Sequence, residues 1–430
     1  MNLAVLAMLF GMIVLVMLNV PIAVALGVVA VGAIWIMQGS SMLPNVALVM
    51  YDGATSFPLL AVPLFILAGG IMNASSIARR LIDLATAILG FIRGGLSMVT
   101  VGSAMFFAEI SGSAVADVAA LGTLLIPAMK SRGYSKEFAA AVTSSSASLA
   151  IIIPPSIPMI LYAAMAQESA VKIFVAGIIP GIIGGVGLMA LCYYYAWKYN
   201  FPVEQRFNLC RLAQATREAA WALAMPVIIL GGIFGGFVTA TEGAALAVLA
   251  ALLIGVVIYR DLSLKALYQA CVDSAIQTAV VMLLVAASAL VGIYLTESQL
   301  PQKLAAGIID ITTNPYFVLL ILNFFFLVIG MFLHSAAAII LTVPIVLPLI
   351  HQVGIDPIHF GLVLTLNLAI GQQTPPVASV LIAACSIAKA DIWQVTKANL
   401  GFVGVLVFVL LLCTYVPWLS LVLINVFYGN

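Results

Sequence analysis

Two proline pairs stand in polar company inside an otherwise apolar chain, and their surroundings carry most of the chemistry the sequence offers. The first reads Thr143-Ser-Ser-Ser-Ala-Ser-Leu-Ala-Ile-Ile-Ile-Pro154-Pro155-Ser156, the second Asn367-Leu-Ala-Ile-Gly-Gln-Gln-Thr374-Pro375-Pro376. A proline supplies no N–H and crowds the preceding turn, so a helix must break at each pair. The freed carbonyls of an unwound segment are ligands for a hard cation, and a half-helix N-terminus with Ser or Thr nearby favours a carboxylate. Two further polar islands join them, Ser111-Gly112-Ser113 flanked by Glu109 and Asp117, and His334-Ser335, while the first segment itself carries the serine run 144–148. The alternatives for these features are ordinary proline kinks and close packing through small residues. Paired breaks beside polar clusters favour binding. The glycines at 181, 184, 185, 231, 232, 235 and 236 read instead as packing surfaces.

The elements that must hold these groups are membrane helices. Of 430 residues 64% are hydrophobic and only 7% charged, with a mean hydropathy of +1.25, which no water-facing surface could enclose. A net charge of +1 and the absence of any basic run exclude nucleic acid as a partner. Cys192, Cys210, Cys271, Cys385 and Cys413 stand singly, without metal-ligand spacing. The first residues lack a basic region ahead of the apolar stretch, so Met1 is expected to belong to the mature chain.

About 20 apolar residues cross the hydrocarbon core. On that length, crossings are expected over residues 3–19, 21–37, 56–74, 137–165 and 172–199, and again over 221–237, 239–259, 272–295, 358–388 and 400–426. The segments 94–130 and 315–350 are too long for one crossing and are interrupted by small polar residues, so both read as re-entrant hairpins. With the N-terminus outside, fourteen of the sixteen basic residues fall in cytoplasmic loops, and only Lys172 and Lys303 lie outside.

An odd number of crossings in each half sets the halves in opposite senses, the condition for an inverted repeat. The sequence echoes it. Pro127, Gly133, Pro154 and Pro155 recur as Pro348, Gly354, Pro375 and Pro376, all at an offset of 221. The expected fold is therefore an all-α polytopic membrane protein of two inverted-topology repeats, each with about five spanning helices, one of them broken, and one hairpin. Residues 1–199 form the first repeat, 200–220 a cytoplasmic linker and 221–430 the second. His334 falls opposite Ser113 at the same offset, near a hairpin tip, and reads as polar lining of the site. Glu242 and Asp273 sit near expected helix ends, where capping or interfacial carboxylates are common. His351 and His359 lie toward the outer surface.

The hairpin Ala108-Glu-Ile-Ser-Gly-Ser-Ala-Val-Ala-Asp117, the following Ile126-Pro-Ala-Met-Lys-Ser-Arg-Gly-Tyr134, the Ile153-Pro-Pro-Ser156 break and Gly371-Gln-Gln-Thr-Pro-Pro376 together resemble the large membrane subunit of tripartite ATP-independent periplasmic (TRAP) transporters, over essentially the whole chain. The resemblance implies a Na⁺-driven importer of an organic acid in a bacterial inner membrane, with both termini periplasmic. It implies an elevator mechanism and two partners: a small four-helix membrane subunit and a periplasmic substrate-binding protein. By the same resemblance one Na⁺ site uses Ser111 with the backbone near Ala150, Ile153 and Pro154, and the other uses Gly330, Gly371, Thr374 and Val377. Gly330, Gly371 and Thr374 stand opposite Glu109, Ala150 and Ile153 at the offset of 221. The substrate cleft is expected among Ser111, Gly112, Ser113, Ser145, Ser146, Asn367 and Thr374. C4-dicarboxylates, sugar acids, 2-oxo acids and sialic acids all remain open as cargo. A symporter or channel without partners is the rival within transport. Catalysis finds no HExxH, no aspartate-rich metal motif and no nucleophile with a base, so the chain reads as no enzyme.

Overall fold

The structure is a computed structural model, and it describes residues 11, 14–15, 18, 20–39, 41, 43–203, 207–297, 299–310 and 312–429. The crossing expected over 3–19 lies mostly outside the described residues. Nineteen α-helices, linked by short 3₁₀ and π segments, build the described chain, and no strand is present among the described residues. Nine of its helices are long and apolar enough to cross a membrane.

The first hairpin is α5 (Gly95–Ser111) and α6 (Ala114–Ser131), the second α14 (Pro315–Phe332) and α15 (Ser335–Val353). Gly112 at φ +58 turns the first tip, a left-handed conformation that glycine adopts freely, whereas Leu333 and His334 turn the second in extended backbone. Each broken span is two short helices. The first is α7 (Lys136–Ala147), a 3₁₀ turn Ser148–Ile151, then α8 (Ile157–Ala166); the second is α16 (Pro357–Gly371), then α17 (Ser379–Ala388). None of these halves reaches the 20 residues a crossing needs. The helices that follow, α9 (Ala170–Lys198) and α18 (Ile392–Tyr415), complete a series whose boundaries recur at the spacing of 221 to within a few residues. Both proline pairs are cis.

The remaining elements are α1 (Ile22–Gln38), α2 (Leu43–Ala54), α3 (Ala61–Ala74), α4 (Ile77–Leu89), α10 (Leu209–Phe234), α11 (Ala240–Leu252), α12 (Leu264–Glu297), α13 (Leu300–Ile309) and α19 (Trp418–Tyr428). Two groups of helices emerge from the packing. In one, α12 packs along α1, α2 and α3, with α11 on α3 and α10 on α4. In the other, α7 packs against α6, α17 and α18, α8 against α15, and α14 against α16. At its centre every residue of α7 from Phe138 to Ala147 is buried, as is every residue of α16 from Ile358 to Gly371.

Several boundaries differ from the sequence expectation. Helix α10 begins at Leu209, because Asn208 accepts hydrogen bonds from the N–H groups of Cys210 and Arg211, so half of the polar stretch 200–218 is helical. Helix α12 begins at Leu264 and not at 272. The stretch expected as one helix over 400–426 divides at Pro417, where the chain cannot donate to the preceding turn. Helices α2, α4 and α13 were not foreseen. Helix α4 is amphipathic, burying Ile77, Leu81, Leu84 and Ala85 while exposing Arg79, and its charges hide it from a search for apolar runs.

Helix α14 lies against α16 at two glycines: a methyl group on Gly371 would sit 2.6 Å from the carbonyl carbon of Gly330. Overpacking of this kind costs about 2 kcal/mol. Gly371→Ala is therefore expected to lower the unfolding temperature of the detergent-purified protein, while Gly404→Ala, whose methyl meets nothing within 4 Å, leaves it unchanged or slightly raised. Equal temperatures for the two variants would contradict this packing.

Candidate functional site: the hairpin tips, the helix breaks and the cavity between them

Each hairpin tip is docked on the break of its own half. The Ile157 N–H donates to the Gly112 carbonyl at 3.4 Å, and the Val377 N–H donates to the Met331 carbonyl at 3.2 Å. At Gly112 a side chain would collide with the Pro155 carbonyl, so the turn must be glycine on two counts, space and its positive φ. The first break is sealed from behind by α9: methyl groups on Gly177 or Gly181 would strike the Ile152 carbonyl or the Ile153 side chain. Gly181 is packing surface, as expected, and Gly177 joins it.

Within the breaks, the carbonyls of Ile153, Pro154 and Pro155, and of Thr374, Pro375 and Pro376 opposite them, accept no hydrogen bond among the described residues. The two sets differ in exposure. Ile153, Pro154 and Pro155 are buried, whereas Thr374 and Pro375 are half-buried and Pro376 is exposed. Near the first, Ser111 donates its hydroxyl to Asp117 Oδ1 and accepts from the Ser113 N–H at 3.2 Å, while Asp117 Oδ2 is buried without a partner. Near the second, Thr374 donates to the Ile370 carbonyl at 3.1 Å, leaving its lone pairs free. No cluster of three metal-ligating His, Cys, Asp or Glu side chains occurs among the described residues, so any cation held here meets mainly carbonyl and hydroxyl oxygens.

The serine run has a partner that the sequence reading missed. Gln373 Oε1 lies 2.9 Å from the Ser145 hydroxyl, accepts from Asn399 Nδ2 at 3.0 Å and is 3.2 Å from Ser144, while Gln373 Nε2 donates to Ser148 at 2.6 Å. The network is buried, and it ties α7 of the first half to the break and α18 of the second. Ser146 instead donates to the Val142 carbonyl. Asn367 donates to Asn323 and to the Val363 carbonyl, both at 2.8 Å, and Asn323 donates on to Thr414. Of the residues expected to form the cleft, then, Ser145, Ser146 and Asn367 belong to the packed interior.

The open space lies elsewhere. A cavity of about 970 Å³ runs between the two helix groups, lined by α3 and α12 on one side and by both hairpin tips on the other. Ser111, Gly112 and Ser113 line it, and so does His334. Asn73, Gln269, Asp273, Gln277 and Gln372 line it too, unforeseen. Asp273 was expected at a helix end, but the earlier start of α12 puts it in the third turn, facing the cavity. Glu242 does cap, in a reciprocal pair with Thr239. His359 is buried and hydrogen-bonded to Ser420 rather than at the surface.

Seven of the described helices carry a side-chain N-cap, and ten, those that start at this cavity among them, carry none. Helices α7, α9, α10, α11, α14, α16 and α18 are N-capped by Ser135, Ser169, Asn208, Thr239, Asn314, Asp356 and Asp391. Helices α6 and α15 have no side-chain cap, so their first N–H groups and positive dipole ends face the cavity from the two tips.

Replacing Gln373 by Leu leaves the Ser144 hydroxyl and Asn399 Nδ2 without a partner in the interior and removes one hydrogen bond each from Ser145 and Ser148, at a cost of about 3 kcal/mol. The unfolding temperature of Gln373→Leu is expected to fall well below that of Gln394→Leu, which alters an exposed side chain. A fall no larger than that of the control would show the network to be unimportant for stability.

Comparison with known proteins agrees with this arrangement. The family described as "Tripartite ATP-independent periplasmic transporter, DctM component" matches residues 9–419. The isethionate TRAP transporter permease protein DctMQ of Oleidesulfovibrio alaskensis is 42% identical over 400 residues, covering 93% of this chain and 63% of that protein, so the chain spans less than two thirds of this relative. The C4-dicarboxylate TRAP transporter large permease protein DctM of Pseudomonas aeruginosa is 36% identical over 381 residues and 89% of each chain. The sialic acid TRAP transporter permease protein SiaT of Haemophilus influenzae is 35% identical over 84% of this chain and 59% of its own. All three are named as permeases and none as an enzyme. In fold, the crystal structure of the Alcanivorax borkumensis YdaH transporter is similar at a TM-score of 0.66, with 14% identity over 89% of each chain. The chain belongs to the DctM component family of tripartite ATP-independent periplasmic transporters.

Proposed function

We propose that this chain is the translocating subunit of a Na⁺-coupled importer, carrying a small organic acid across a bacterial inner membrane by an elevator movement. The acid is handed over by a periplasmic binding protein, and a small four-helix membrane subunit completes the membrane complex. The observation that carries the reading is the cavity between the two helix groups, into which both hairpin tips present uncapped helix N-termini. That is an anion site at the boundary of two bodies, which is what carriage between two membrane faces requires.

In this reading the two halves are inverted repeats, and the offset of 221 relates hairpin to hairpin and break to break. The body built from α5 to α9 and α14 to α18 is the moving part, and the group around α3 and α12 is the fixed one. Small residues line their contact: Gly69, Gly70 and Ala270 on one side, Ala114, Ala336 and Ala337 on the other. The cavity is bordered by Pro21 and Ala74 and by Ala266 of α12, ends that the positive-inside rule puts on the cytoplasmic side, so this conformation is the inward-open one. Both termini are then periplasmic.

Na⁺ is the co-substrate. One ion is assigned to Ser111 with the carbonyls around Ala150, Ile153 and Pro154, the other to Gly330, Gly371, Thr374 and Val377. Support comes from the unbonded carbonyls at both breaks and the free lone pairs of Thr374.

Uptake of radiolabelled organic acids is expected in proteoliposomes holding the chain with its small subunit, and only with both an inward Na⁺ gradient and the binding protein. Thr374→Val is expected to raise the Na⁺ concentration for half-maximal uptake about tenfold, the effect of losing one hydroxyl ligand. Flux that persists without Na⁺ or the binding protein would favour a symporter or channel that needs no partners.

A further inference from the structure

The wall of the cavity opposite the hairpin tips carries a row of polar side chains that Na⁺ binding and anion capture leave unused. Gln269, Asp273 and Gln277 recur every fourth residue on one face of α12, all lining the cavity, and Asn73 of α3 joins them. At 1.5 Å per residue the row extends about 12 Å. Asp273 Oδ1 accepts from Gln269 Nε2 at 2.9 Å. Among the described residues Asp273 makes no ion pair, and no Lys or Arg lines the cavity.

The far wall has the opposite character. Besides the uncapped N-termini of α6 and α15, Gln372 lines the cavity, 1% exposed, with its buried Nε2 lacking a hydrogen-bond partner. A buried donor left unpaired costs free energy until an acceptor reaches it. One side of the cavity thus offers N–H donors and positive dipole ends, and the other offers a carboxylate and three amides.

We propose that the cavity selects a monoanion whose remaining length bears hydroxyl or amino donors. Its acid group is held by Gln372 and the two helix N-termini, and Asp273 accepts from the donor-bearing end. Asp273 is then a specificity-determining residue that disfavours a second carboxylate. This rests on the transport reading above and narrows its cargo from organic acids in general to hydroxylated or amino monoacids. A dianion that spans the cavity brings its second charge against an unpaired carboxylate, and at a partly solvated separation this repulsion weakens binding about tenfold or more.

The test measures the membrane complex alone, because the binding protein makes its own choice of ligand. Gluconate and lactate serve as hydroxylated monoanions and succinate and glutarate as dianions, each titrated against the unfolding temperature of the purified chain with its small subunit. Wild type is expected to half-saturate at least about tenfold lower with gluconate than with succinate. Asp273→Asn should close that gap by tightening succinate, and Asp273→Glu, which keeps the charge, should preserve it. Wild-type preference for succinate, or an unchanged ratio in Asp273→Asn, overturns the assignment of Asp273 while uptake of any of these acids in proteoliposomes leaves the transport reading standing. If none of the four acids stabilises the wild type and none is taken up, the transport reading fails and this inference goes with it.

Discussion

A peptide group inside a membrane has no water to bond, so every departure from a continuous helix must be covered by protein or open onto an aqueous space. The two proline pairs make such departures unavoidable at Pro154 and Pro375, and much of the architecture can be read as the answer. A hairpin tip bonds to each break, and the glycine face of α9 closes the first from behind. What remains uncovered is a short set of carbonyls at each break and the uncapped N-termini of α6 and α15. Acceptors for a cation and donors for an anion are therefore left over side by side, as a consequence of geometry and not of any exotic side chain. The cavity itself is lined by only two titratable groups, Asp273 and His334.

The sequence exposes the parts of the fold that depend on composition and punctuation. The proline pairs and polar islands stand where the described helices end and turn, at Ser111–Ala114, Ile151–Ile157, Phe332–Ser335 and Gly371–Ser379, because proline and glycine act locally. Elements whose signal is amphipathic or a single cap were harder to see. Helix α4 looks like a charged loop until its buried face is known, and the start of α10 hangs on Asn208 alone. The displaced start of α12 carried a further error with it, since Asp273 assigned to a helix end loses its place in the cavity.

For the candidate site, sequence found the residues held by local backbone and missed those that need distant partners. Ser111, Gly112 and Ser113 line the cavity because a hairpin tip can only be a tip. Ser145 and Asn367 looked alike in sequence, polar residues near a break, yet both bond inside the packed interior to residues that no local pattern could nominate, Ser145 to Gln373 and Asn399 and Asn367 to Asn323. Gln373 stood within a motif already singled out, and nothing in its neighbourhood says that its amide reaches across to α7.

That reach has a consequence for biosynthesis. Gln373 and Asn399 follow their serine partners by 225 to 254 residues. While the ribosome is still making the second half, α7 and the 3₁₀ turn after it sit in the bilayer with Ser144, Ser145 and Ser148 waiting, their hydroxyls able only to bond back to their own segment, as Ser148 still does to the Ser144 carbonyl. The first half therefore cannot reach its final packing during its own insertion. Assembly of this body is a late event, completed only after Gln373 and Asn399 have entered the membrane, and premature termination anywhere before α18 leaves these serines without their full set of partners.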